Sequence, residues 1–175
     1  MTAEHRSSMI PAMDHVDRIL DQWHRERPDL DIGPMGLIGR LTRLMTHLMR
    51  EMEKTFAAHG LTYPSFDVLA TLRRSGPPYA LSPGDLMATT MVASGTMTNR
   101  IDQLEKAGLV VRRPNPQDGR SVLIALTDQG RRTIDAAVAD HVATQKRLVD
   151  HLSAREQAAL DALLRDFLAG LDPTA

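Results

Sequence analysis

Apolar residues recur at spacings of three and four along most of the chain, the mark of helices that bury one face. From Met9 to His24 the residues Met13, Val16, Leu20 and Trp23 form one stripe, and the segment Pro28 to Pro34 ends it. A long second helix is predicted from Met35 to Ala58, with Leu37, Leu41, Leu44, Leu48 and Met52 in line and Ile38, Met45, Met49 and Phe56 beside them. Gly60 supplies its C-terminal stop. A third helix, from about Pro64 to Arg74, buries Phe66, Leu69 and Leu72 and ends at Ser75-Gly76-Pro77-Pro78. Ser82-Pro83 opens a fourth, with Pro83 at the tolerated first position.

A fifth helix is predicted from near Ala93 to Gly108, burying Met97, Ile101 and Leu104. At about 100° per residue, Gly95, Asn99, Asp102 and Lys106 fall on the far side and face outward. The period then switches to two. Leu109 to Arg113 and Ser121 to Leu126 read as short strands, the second alternating Val122, Ile124 and Leu126, joined through Pro114 to Gly119 with Asp118-Gly119 closing the hairpin. Thr127 caps a long helix carrying Ile134, Val138, Val142, Leu148 or Val149, and Leu152. A capping box, Ser153 with Glu156, opens a last helix that ends at Gly170. The expected fold is mainly α with a small β-hairpin. Helix, turn, helix and basic hairpin in that order make a winged helix-turn-helix, which points to double-stranded DNA.

Composition narrows the picture. The 175 residues are 42% hydrophobic and 25% charged, which suits a single domain with its own core. The formal net charge is -1, but Ser94 to Arg132 holds seven Lys/Arg against four Asp/Glu, leaving 14 against 18 elsewhere. A basic segment on an acidic body is an oriented dipole. The absence of cysteine removes disulfides, thiolate metal sites and thiol redox sensing. No leader or membrane-length apolar run is visible, so a cytoplasmic protein is expected. No Gly-x-Ser-x-Gly elbow, dinucleotide fingerprint or motif-placed carboxylate pair suggests an enzyme. Gly33, Gly36 and Gly39 precede a helix, but no strand comes before them and no Gly-Lys-Ser/Thr follows, so a phosphate loop is not indicated. His47 and Glu51 share a helix face without further ligands at metal spacing, and neither a metal nor a cofactor is expected. His141 and His151 are placed on the long helix, which leaves acid sensing open with nothing in the sequence that points to it.

The short hydrogen-bonding residues Ser94, Thr96, Thr98 and Asn99 suit major-groove edges and phosphates, with Asn99 the base reader because its amide can bond adenine at two points. Alone they would be a solvated helix face; the basic hairpin beside them favours DNA. Arg120 is the candidate for the narrow minor groove and also for an ion pair with Asp118 that shapes the wing, and both roles can hold at once. Arg113, Arg131 and Arg132 are expected on phosphates. Arg100 lies about 60° from the buried stripe and about 100° from Asn99, flanking the core. A cation there wants an anion, and Asp67 in the first turn of the third helix is available, although a carboxylate also suits that helix end by itself.

The run Thr98-Asn99-Arg100-Ile101-Asp102-Gln103-Leu104-Glu105-Lys106-Ala107-Gly108-Leu109 and the wing motif Asp118-Gly119-Arg120-Ser121 resemble the MarR family of bacterial transcription regulators, over nearly the whole chain. The resemblance implies one MarR-type domain over 1–175. Its winged helix spans about 61–127, and dimerisation helices about 9–58 and 128–170 pair two copies on a palindromic operator. Within the family the chain is similar to the urate-responsive, PecS-type subgroup. That subgroup is marked by an extra N-terminal helix bearing a Trp, an Asp in the third helix, and two Arg in the recognition helix and first wing strand. Trp23, Asp67, Arg100 and Arg112 stand in those places. Trp23 equally completes the first helix's apolar stripe.

The resemblance implies a repressor released by a small anionic aromatic ligand, urate or a related purine. Arg112 would supply charge, Asp67 would accept an N–H, Trp23 would cover the ring, and Arg100 would couple the site to DNA. Other effectors, phenols or aromatic carboxylates, fit a similar cationic slot. A winged helix serving protein contact alone is the remaining alternative, against which the basic wing stands.

Overall fold

The computed structural model describes residues 13–91, 97–116 and 118–171, without the side chains of positions 119 and 120. Seven helices and three strands follow one another in these residues: α1 (His15–Glu26), α2 (Gly33–Ala58), α3 (Tyr63–Arg74), β1 (Ala80–Leu81), α4 (Pro83–Thr89), α5 (Met97–Lys106), β2 (Val110–Asn115), β3 (Asp118–Leu126), α6 (Asp128–Val149) and α7 (Ala154–Leu171). The chain divides into two compact units between Met49 and Arg50, within α2.

In the first unit Asp14 caps α1, accepting the Asp17 N–H while Asp17 accepts that of Asp14. The helix therefore starts later than the apolar stripe suggested; Met13 precedes the cap and is exposed, and residues 9–12 lie outside the description. The Asp17 backbone N–H, followed by the Arg40 guanidinium, holds the Asp14 carboxyl below its ordinary range. The glycines of α2 have a packing role. A Cβ on Gly36 would stand 3.0 Å from Leu20 Cδ1, and one on Gly39 would stand 3.3 Å from Val16 Cγ1, so α1 packs closely on a face of α2 that carries no side chain at these positions. Between them is a cavity of about 350 Å³ lined by Val16, Ile19, Leu20 and Met35, with His15 and Arg43 at its edge.

The second unit holds the winged helix. Thr62 caps α3, Ser82 caps α4 and Thr127 caps α6, each side-chain oxygen accepting an N–H two or three residues into its helix. Phe56, Phe66, Val68, Leu69, Leu72, Leu86, Met97, Ile101, Leu104, Ile124 and Ile134 form one buried cluster. The sheet order is β1-β3-β2, all antiparallel, with Ala80 opposite Ala125 and Arg112 opposite Ile124.

Several details depart from the sequence pattern. Asp118 and Gly119 open β3 instead of forming the turn, because the strands continue past a register shift at Pro114/Asn115 to pair Asn115 with Asp118. Val122 is exposed, since it lies out along the hairpin beyond the core that covers Ile124 and Leu126. On α6 the buried positions are Gly130, Ile134, Ala137 and Thr144, whereas Val142 is 56% exposed. The α7 helix buries none of its residues.

Candidate nucleic-acid interface and ligand site

The α5 helix leans on the core through Met97, Ile101 and Leu104, which leaves Thr98 and Asn99 exposed on its outer side. Ser94 and Thr96 fall outside the described residues, as does the Arg120 side chain. Arg113, Arg131 and Arg132 are exposed, and among the described residues none of the three is in an ion pair. Their charge is open to an external anion. At the wing tip, Asn115 Nδ2 donates to Ser121 Oγ at 3.0 Å and the Ser121 hydroxyl donates to the Asp118 carbonyl at 3.1 Å.

Asp102 stands on the outer side of α5 with its side chain 46% exposed, and it is also paired. Its carboxylate accepts from Arg112 Nη2 at 2.5 Å, and Arg112 Nη1 donates to Glu105. Periodicity places a residue on a helix but cannot foresee a partner arriving from the neighbouring strand. The Asp102 carboxylate, then desolvation against it and the Glu105 hydrogen bond, leave the Arg112 guanidinium more firmly protonated than an ordinary arginine.

The structure holds no Asp67–Arg100 ion pair. Asp67 is buried at 8% exposure, and its Oδ2 accepts the Met91 backbone N–H at 2.8 Å, just after α4. The carboxylate thus ties the backbone just after α4 to α3, an orphan-donor role invisible to side-chain pairing rules. Arg100 is half-buried, and its Nη1 is enclosed with no hydrogen-bond partner among the described residues. Thr90 Oγ1 is similarly enclosed and unpartnered. Buried polar atoms left unsatisfied cost stability. Trp23, in the first unit, is 41% exposed and does not complete a buried stripe. A second cleft, of about 160 Å³, lies between Thr71, Arg74, Leu81 and Thr89. Sequence reasoning missed it because Arg74 reads as an ordinary last-turn cation.

The family model described as MarR family matches residues 59–121. The HTH-type transcriptional regulator PecS of Dickeya dadantii (strain 3937) is 43% identical to this chain over 149 residues, covering 85% of the chain and 90% of the relative. The chain belongs to the MarR family. Among solved structures it is similar to a mutant MarR from E. coli complexed with operator DNA. That match has a TM-score of 0.65 and 26% identity, over 83% of this chain and 97% of that one. It is also similar to Bordetella bronchiseptica BpsR, whose DNA binding is regulated by 6-hydroxynicotinic acid, at TM-score 0.65 and 27% identity over 74% and 90%. This MarR-family chain is a DNA-binding transcriptional regulator and not an enzyme. Among the described residues no helix is long and apolar enough to cross a membrane.

Proposed function

We propose that this regulator binds a palindromic operator as a homodimer, acts as a repressor, and is released by a small anionic aromatic ligand, urate or a related purine. The observation that carries the reading is the outer side of α5, where Thr98 and Asn99 stand exposed, together with Arg113, Arg131 and Arg132, exposed and without an ion pair among the described residues. In this reading Asn99 reads a base edge, Ser94, Thr96 and Thr98 bond base edges or phosphates, the three arginines take phosphates, and Arg120 enters the minor groove. Asp118 holds the wing tip.

Trp23, Asp67, Arg100 and Arg112 are assigned to the ligand. The enclosed, unpartnered Nη1 of Arg100 and the buried carboxylate of Asp67 support that assignment. Urate is a flat anion with N–H donors and carbonyl acceptors, which a guanidinium and a carboxylate complement. A ligand N–H competing for Asp67 weakens its hold on Met91, and so on the turn that leads into α5. Homodimerisation is supported by α7, where Leu160, Leu163, Leu164, Phe167, Leu168 and Leu171 leave an apolar stripe uncovered. An aromatic carboxylate is the second reading, favoured by the likeness to BpsR and its 6-hydroxynicotinic acid.

The test is fluorescence anisotropy on an operator selected from a random duplex pool, with urate and salicylate titrated separately. Urate is expected to weaken operator binding about 5- to 150-fold, the range of a coupling of about 1 to 3 kcal/mol. Release by salicylate with no response to urate moves the assignment to the second reading. Affinity that does not fall steeply with salt removes the phosphate contacts.

A further inference from the structure

Arg112 sits on β2, yet its side chain reaches α5. Nη2 donates to Asp102 Oδ1 at 2.5 Å, Nη1 donates to Glu105 Oε2, and the Arg112 backbone N–H donates to Glu105 Oε1 at 3.1 Å. Asp102 and Glu105 are three residues apart, so both carboxylates leave the helix on one side, where one planar guanidinium can take both. The Arg112, Asp102 and Glu105 side chains are 33%, 46% and 36% exposed, so the trio is open to an incoming ion. Among the described residues no other ion pair joins α5 to the wing.

A helix offered to DNA with two bare carboxylates meets the phosphates with the wrong sign. One guanidinium against those two carboxylates removes much of that repulsion and also fixes the angle between β2 and α5. A ligand anion arriving with both carboxylates in place would be the third negative group around one cation. Repulsion opposes that arrangement, so ligand binding and the Asp102–Arg112–Glu105 contacts compete.

From these contacts we infer that Arg112 is a releasable clasp. It holds the first wing strand to α5 and neutralises Asp102 and Glu105 while DNA is bound; a small anion that takes its guanidinium opens the clasp and returns two negative charges to the DNA-reading helix. The ligand half of this inference rests on the anion site proposed above, and the neutralising half needs only α5 at the DNA.

The experiment compares Arg112→Gln, Asp102→Asn with Glu105→Gln, and all three together, with operator affinity read by anisotropy and urate affinity by calorimetry. Without ligand, Arg112→Gln is expected to weaken operator binding at least tenfold, and the triple variant to recover most of that loss. A triple variant as weak as the single makes Arg112 a plain phosphate contact and overturns the neutralising role. Arg112→Lys keeps the charge and loses the fork; it is expected to stay within a few-fold of wild type, and serves if the Gln variant fails to fold. The Asp102→Asn, Glu105→Gln protein is expected to bind urate several-fold more tightly than wild type while urate releases it less from DNA. Unchanged or weaker urate affinity overturns the competition. A wild-type protein that binds neither urate nor salicylate overturns the anion site and the ligand half together, and the triple variant then decides the clasp alone.

Discussion

The imidazole of His141 packs against Phe56 and Phe66, with ring centroids 5.2 and 4.9 Å away, and its Nδ1 is enclosed without a partner among the described residues. Burial lowers its pKa from the ordinary 6.5, because the charged ring would lose water and gain no anion. The folded pKa lies below the unfolded one, so the unfolded chain takes up the proton first. Stability from this site is complete above pH 6.5 and is lost as pH falls from there toward the folded value. His141→Phe keeps the aromatic contact and removes the proton. Its melting temperature is therefore expected to gain on wild type as pH drops from 7.5 to 5.5, and parallel curves over that range would discard the assignment. Nothing in the sequence marked this ring as enclosed, since Val142, its neighbour, had the stronger claim on the helix's inner face. Asp67 was legible as a residue set apart, but its partner is a backbone N–H, and only the fold shows which donor a turn leaves unpaired.

At the scale of elements, α6 approaches the backbone just before β2 more closely than a side chain would allow. A Cβ on Gly130 would fall 1.9 Å from the Leu109 carbonyl oxygen, so the first turn of α6 rests directly on the start of the wing. Backbone cannot yield as a flexible side chain does. Gly130→Ala is expected to cost about 1 to 3 kcal/mol or more in urea denaturation. Gly84→Ala is the control: its Cβ would meet Ser82 Oγ at an ordinary 3.7 Å, and it should be neutral or stabilising by up to about 1 kcal/mol. Equal destabilisation by both would refute the close-approach account. The helices were readable because caps such as Thr127 and Ser82 coincide with changes of period. The two-residue strand β1 was not, since Ala80 and Leu81 are too few to alternate and owe their pairing to β3. The hairpin tip was misplaced for a related reason: a register shift is a property of two strands together. Asp102 and Arg112 were each noticed, on separate elements, and their meeting follows from the wing folding back on α5.

Across the whole molecule, a net charge near zero conceals a basic reading module on an acidic remainder, which favours approach to DNA in one orientation. The uncovered stripe of α7 gives the proposed dimer its own test. Leu163, 68% exposed, and Phe167, 39% exposed, sit one turn apart there. Replacing both with Asp is expected to yield a folded monomer by sedimentation velocity, with operator affinity reduced by orders of magnitude; a wild-type chain that sediments as a monomer at micromolar concentration would dispose of the two-fold assembly. The Thr127 hydroxyl donates to the Gly108 carbonyl at 2.7 Å, lies 3.2 Å from that of Leu109, and accepts the Gly130 N–H at 2.9 Å. That one oxygen is a fulcrum. The 22 residues of α6 make a lever of about 33 Å, so tipping it by about 5° at Thr127 carries the far end some 3 Å, enough to take a reading head out of step with its groove.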